Sequence, residues 1–539
     1  MSSQPSLAES VPRRMVSGWL PYWTMADALE AATANGDLWG TASPFWYQAT
    51  GSTTIVGQPG AGDQALIGSL RAAGIEVLPT ITETMDAPAM AALLGDQAQR
   101  AAHVQALVNL ATGLGVDGID LDYESMNFGG TPADKAAVRT GFVTLVGELG
   151  AALNTQDMTL SVTVGPRTSE LDLNWAVFDY AGIAAAADLV RIMTYDLHYR
   201  GGPPGPIAPL PWVHQVLGYA VTVIPAAHIQ VGVPLYGYDW QCETPACTTQ
   251  AAGAAATALT YEQAEALRTA KGAVREWSAA DAAALFRYTD DAGRPHVVWY
   301  NDHQSTQAKM SLVGAYRLAG LAFWAVGFED TGQWKPLRDY ATSIAKKSRT
   351  ISISVPSSVG YGTKVTVKGT VRNASGTALI GHPVMLQRRW QGGGGWIDVA
   401  SGSSSPAGTV ALTYTPLSNS VFRLVAPEDW TYLAASSAER TTGVKWKVTA
   451  TAGDTSPPPL RTVTISGTVS PRRAGTTVER QKYQNRSWVT VSSTVLDVNG
   501  RYRFQVWSGG TGTMRYRIKV PGTAYNATGY SPTITFTVG

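Results

Sequence analysis

The chain has 539 residues, too many for one hydrophobic core, and this length predicts two to four domains. It contains no unbroken run of about eighteen apolar residues, which argues against a membrane-spanning helix. The net charge of +1 conceals a split: residues 1–350 hold 21 basic and 33 acidic side chains, a net −12, whereas residues 351–539 hold 20 and 7, a net +13.

The N-terminus, Met1 to Arg14, is polar and lacks the apolar core of a signal peptide, so the protein is either cytosolic or has had an export signal removed. Val16-Ser17-Gly18-Trp19-Leu20-Pro21-Tyr22-Trp23 reads as a first strand ending in aromatic residues, and Ala42 to Thr50, with Phe45, Trp46 and Tyr47, as a second. A helix over 63–73 leads to a third strand, Ile75 to Ile81, and a helix over 96–113 leads to Gly115-Val116-Asp117-Gly118-Ile119-Asp120-Leu121-Asp122-Tyr123-Glu124. This last stretch alternates strictly. Gly118, Asp120, Asp122 and Glu124 share one face, and Ile119, Leu121 and Tyr123 take the other. In a barrel of parallel strands the apolar row packs on outer helices, and the acids line the interior near the C-terminal mouth. Three carboxylates at that spacing cannot all stay ionised cheaply, so at least one is expected to be protonated near neutral pH. A carboxylic acid that keeps its proton is what cleavage of a glycosidic bond requires. Asp-x-Asp-x-Glu also occurs in calcium loops, but here the turn glycine is missing and three bulky apolar residues would be wasted.

A helix over 132–154 is followed by strands Thr159 to Val164, Leu189 to Asp196, Ile229 to Tyr236 and Gly320 to Val326. Eight strands alternating with helices predict an α/β fold, a (β/α)8 TIM barrel. The ends of these strands gather Tyr22, Trp23, Trp46, Tyr195, Asp196, Tyr236, Tyr238, Trp240 and Trp324 at the face where barrel sites are built. Aromatic rings can cover the flat C–H faces of sugars while acids and amides meet the hydroxyls, so the set suggests a glycan cleft. Cys242 and Cys247 are the only cysteines, and they form either one small disulfide loop or two reduced thiols. The seven His show no zinc-ligand spacing, and nothing predicts a metal or another cofactor.

Asp117-x-x-Asp120-x-Asp122-x-Glu124 resembles the D-x-x-D-x-D-x-E signature of glycoside hydrolase family 18, the chitinase-like family, and Gly118 and Ile119 are also family-like. Met193-x-Tyr195-Asp196 is similar to the family's sixth-strand motif, and Trp324 to the Trp beneath its catalytic subsite. Gly232-Val233-Pro234-Leu235-Tyr236-Gly237-Tyr238-Asp239-Trp240 is also family-like. Trp299-x-x-Asp302-x-x-Ser305-x-x-x-Lys309 resembles the bacterial branch of spore-cortex and cell-wall hydrolases. The resemblance covers residues 15–345 and implies a small α+β insertion at 241–310, between strands seven and eight.

Lys346-Lys347-Ser348-Arg349 is a basic connector, after which short Val/Thr/Ser strands and Gly-rich turns take over. Val365-Thr366-Val367-Lys368-Gly369-Thr370-Val371 is answered by Val463-Thr464-Ile465-Ser466-Gly467-Thr468-Val469, and Trp396-Ile397-Asp398-Val399 by Trp488-Val489-Thr490-Val491. This self-similarity predicts two all-β Ig-like sandwiches, at 351–444 and 445–539, resembling modules of secreted actinobacterial enzymes. Their basic charge suggests adhesion to an anionic cell wall rather than to nucleic acid.

The resemblance further implies a retaining glycosidase that cleaves β-1,4 bonds of N-acetylglucosamine glycans (chitin, chitooligosaccharide or peptidoglycan) without a protein nucleophile. Glu124 would be the general acid, Asp122 would orient the substrate acetamide, Asp120 would share a proton with Asp122, and Tyr195 would donate to the acetamide oxygen. Asp196, Trp324, Trp19, Tyr22, Trp46, Tyr236 and Trp240 are the expected substrate-binding residues, and Asp117 is expected to be structural. The expected protein is a monomer, secreted or wall-associated, with no membrane or nucleic-acid partner. A lectin-like binder on the same barrel and a surface adhesin carried by the Ig-like pair are the competing readings.

Overall fold

The computed structural model describes residues 11–539, so most of the polar segment on which the export reading rests lies outside the described residues. The chain divides into two compact units, with the boundary between Ala345 and Lys346.

The first unit is built on eight parallel strands: β1 (Val16–Pro21), β2 (Trp39–Ala49), β3 (Thr80–Glu83), β4 (Gly118–Asp122), β5 (Thr159–Val164), β6 (Leu189–Ile192), β7 (Ile229–Pro234) and β8 (Gly320–Trp324). Each pairs with its sequence neighbour, and β1 pairs with both β8 and β2, which closes the TIM barrel. β1 is buried along its whole length, because a closed parallel sheet sheathed in helices has no wet face. Local chemistry brings the chain to β4: Asp96 caps the helix Gln97–Leu114 by accepting from Ala98 N and Gln99 N, and Gly115 ends it in the left-handed region at φ 63°.

Several elements differ from the sequence reading for a clear reason. The third strand splits into Glu76–Val77 and Thr80–Glu83, since Pro79 has no N–H to give to the ladder. A helix, Ala87–Gly95, precedes the expected one. The insertion begins at Tyr236 rather than Gln241: Tyr236–Gln241 is the second strand of a five-stranded antiparallel sheet that includes Thr257–Thr260, Pro295–Tyr300, Ala283–Thr289 and Glu276–Ser278. The helix His303–Tyr316, placed by the sequence reading partly inside the insertion, is the helix that leads into β8. Cys242 and Cys247 are disulfide-bonded within the insertion, with Cα atoms 5.0 Å apart. Pro132–Asn154 is long and apolar enough to cross a membrane by length and composition. In this fold it buries Val138, Phe142, Leu145, Val146, Leu149 and Leu153 in the barrel core.

The second unit is two consecutive all-β Ig-like sandwiches, each with its own core around Val367, Leu386 and Phe422 or around Ile465, Phe504 and Ile518. In strand Gly512–Val520, Tyr516, Ile518 and Val520 point inward and Arg515, Arg517 and Lys519 outward. Arg517 lies over Trp488 and Tyr530 (4.6 and 4.2 Å to the ring centroids), and Lys519 is paired with Glu479 at 2.9 Å.

Candidate active site

The acid column of β4 divides into three environments. Asp117, at its foot, accepts from Arg71 at 2.8 Å and from Val77 N at 2.9 Å, which ties the start of β4 to the strand before it. Asp120 is fully buried, and every donor around it comes from the barrel interior. Its Oδ2 accepts from Trp19 Nε1 and Thr80 Oγ1, both at 3.0 Å, and its Oδ1 from Ser161 Oγ at 2.6 Å and Thr163 Oγ1 at 3.2 Å. Arg191 Nη1, itself fully buried, stands 3.3 Å from Oδ2. Arg191 is satisfied by Ser43, Thr41 and Gln230, so the ion pair sits in a complete polar network, the condition under which a buried pair is tolerated.

One pleat higher, Asp122 is 5% exposed and its Oδ1 has no hydrogen-bond partner in the protein. Desolvation, then the charges of Glu124, Asp120 and Glu83, push its carboxyl well above the usual range, against the pull of Arg191. Glu124 leaves the strand at φ −109°, ψ −35° and opens the short 3-10 turn Ser125–Asn127. Desolvation in the cleft, with Glu83 and Asp196 as like charges, pushes it up to about 7. The Tyr195 phenol is held protonated by burial and by the acids Asp122, Glu124 and Asp196. Asp196, at φ 58°, accepts from Tyr236 OH at 2.5 Å and Tyr238 OH at 3.2 Å.

These groups line one cavity of about 630 Å³, together with Trp23, Phe45, Met193, Thr260, Gln263, Trp324 and Phe328. Trp324 is held edge-on by Phe45, Trp19 and Trp23, at centroid distances of 5.2, 6.0 and 6.4 Å. Asp122, Glu124, Tyr195, Asp196, Tyr236 and Trp324 are therefore brought together. Four of the expected sugar-binding aromatics are not among the lining residues. Trp19 is 1% exposed beneath the floor, where its N–H serves Asp120. Trp46, also 1% exposed, falls at the irregularity in the ladder between Phe45 and Tyr47 and is packed into the barrel core. Trp240 is fully buried in the inserted sheet, donating to Gly202 O at 3.2 Å. Tyr22 packs against the barrel core and meets the exposed Trp23 edge-to-face. The sequence reading missed Phe45, Thr260, Gln263, Phe328, Arg191 and Glu83. Phe45 lies next to Trp46 in an aromatic run, and the others carry no local pattern.

Residues 69–329 match the sequence profile of Glycosyl hydrolases family 18. Over these residues the barrel is similar to that family. It is similar to the cortical fragment-lytic enzyme of Bacillus subtilis, at 30% identity over 48% of this chain and 57% of that protein. It is also similar to the uncharacterized glycosylase YvbX of the same organism, at 31% identity over 43% of this chain and 63% of that protein. The chain thus spans less than two thirds of the length of these curated relatives. Among solved structures, a chitinase from Chromobacterium violaceum matches 60% of this chain and 98% of its own length at 26% identity, with a TM-score of 0.53.

Proposed function

We propose that the barrel is a retaining glycosidase acting on β-1,4-linked N-acetylglucosamine glycans, with the substrate's own acetamide as nucleophile. The observation that carries this reading is the pairing of a carboxyl poised at about 7, Glu124, with Asp122, whose buried Oδ1 has no partner in the protein, the two residues lining one cavity together with Trp324. Glu124 gives its proton to the glycosidic oxygen as the C–O bond breaks, and the acetamide oxygen closes on the anomeric carbon to form an oxazolinium ion. Asp122 accepts the acetamide N–H and meets the positive charge that develops there, while the Tyr195 hydroxyl donates to the acetamide oxygen. The Glu124 carboxylate then takes a proton from the water that opens the ring, and the anomeric configuration is retained. Asp120 holds Asp122 from below through the charge network it shares with Arg191.

The relatives named for cortical fragments and chitin make both peptidoglycan and chitin candidate substrates, and they support an extracellular or wall-associated place of action. Purified chitin and purified sacculi digested side by side, with products weighed by mass spectrometry, test the choice. A fully de-N-acetylated chitosan oligomer tests the mechanism: the reading requires it to be inert or an inhibitor, and comparable cleavage would rule out acetamide participation.

A further inference from the structure

Glu83 is the last residue of β3 and is 4% exposed. Thr82 pairs with Asp122 across the β3–β4 ladder, which sets Glu83 level with the point where the chain leaves β4 toward Glu124. Its Oε1 accepts the Met126 N–H at 2.7 Å, and the N–H groups of Glu124 and Ser125 also act on the carboxylate. Its main-chain carbonyl accepts Ser125 Oγ at 3.0 Å. The turn that begins at Glu124 is thus attached to β3 through both the side chain and the backbone of one residue. A buried carboxylate with no cation among these contacts is costly unless amides satisfy it.

We propose that Glu83 is a positioning residue for Glu124: its carboxylate gathers the backbone N–H groups of the turn and so fixes the direction in which the Glu124 side chain is aimed. This rests on the reading of Glu124 as general acid. A second effect accompanies the first: burial raises the Glu83 carboxyl against the pull of these amides, and its ionised form faces Glu124 as a like charge. The other ionisable groups around Glu124 are Asp122 of β4 and Tyr195 and Asp196 beyond β6, while the cation Arg191 of β6 faces Asp120 and Asp122. Removing the charge of Glu83 makes Glu124 lose its proton at lower pH.

The two effects separate in two variants. Glu83→Gln keeps an oxygen acceptor for the turn and removes the charge, whereas Glu83→Ala removes both. The experiment compares kcat, KM, the pH profile and thermal unfolding of both variants, of Glu124→Gln and of the wild type, on a chitooligosaccharide that the wild type cleaves. The expected result for Glu83→Gln is near-normal kcat at its optimum, with the alkaline limb moved to lower pH. For Glu83→Ala, kcat falls on the order of 10- to 100-fold with KM little changed, the size of loss expected when a reacting group is misplaced by about an ångström. An alkaline limb in Glu83→Gln that coincides with the wild type overturns the inference, and so does an unchanged kcat in a folded Glu83→Ala. If Glu83→Ala does not fold, Glu83→Asp, which keeps the charge and draws the acceptor back from the turn, decides: a fall in kcat with KM little changed supports the inference, and an unchanged kcat overturns it. Loss of turnover in Glu124→Gln with unaffected Glu83 variants overturns this inference only. Normal turnover by Glu124→Gln overturns the general-acid reading and this inference with it.

Discussion

Asp120 lies inside β4 and Glu124 just past its end, and they meet opposite surroundings. Asp120 is ringed by hydroxyls, an indole N–H and Arg191, whereas Glu124 meets desolvation and the like charges of Glu83 and Asp196. The surroundings of Glu124 suit a proton donor. Glu124→Gln keeps the shape and loses the transferable proton, so steady-state assays are expected to show a drop in kcat of about 10²–10⁴-fold with folding retained. Because burial raises the Glu124 carboxyl to about 7, its donor form is present below that pH and is lost above it. The kcat/KM profile is therefore expected to fall as pH rises through about 7. The spacing of the four acids was legible in the sequence, since it lies within one short stretch that contains β4. The aromatic lining was legible only in part: Trp23 and Trp324 line the cavity, whereas Trp46 is a larger signal than Phe45, yet Phe45 is the lining residue. Glu83 carried no signal, because its partners lie about forty residues away and are backbone amides.

Helix caps and alternation made the barrel elements readable, and tertiary contacts moved their ends. Pro79 separates the strand Glu76–Val77 from β3, and the apolar run through Pro234, Leu235 and Tyr236 concealed the passage from β7 into the inserted sheet, because both strands are buried. Gly118 shows how one backbone approach constrains an element. A Cβ there would stand 2.0 Å from the Thr159 carbonyl oxygen, so any side chain forces β4 away from β5. Denaturant unfolding of Gly118→Ala is expected to show a loss of about 3 kcal/mol or failure to fold, in the range of severe overpacking. A stability equal to wild type would mean that the two strands can separate without cost.

For the whole chain, the repeat made the two sandwiches legible, while the state of their charges was not: of the basic row, Lys519 is already neutralised by Glu479 and Arg517 is packed on aromatic rings. If the remaining charge serves adhesion to anionic wall, isolated residues 346–539 should bind sacculi at low salt and release them as salt rises, since exposed charges are screened over about 10 Å at 0.1 M. Pull-downs at two ionic strengths measure this, and no binding at low salt would make the pair spacers. Removing the same residues should lower activity on insoluble wall and spare small soluble substrates, because every residue of the cavity lies in the first unit. Within that unit, Tyr236, Tyr238 and Thr260 lie on the inserted sheet and Gln263 on the helix that follows its strand Thr257–Thr260, whereas Asp120, Asp122 and Glu124 belong to the β4 stretch of the barrel. On the proposed reading, a change of sequence in the segment 236–300 would reshape the wall that Tyr236, Tyr238, Thr260 and Gln263 give the cavity and leave the acids of β4 where they are.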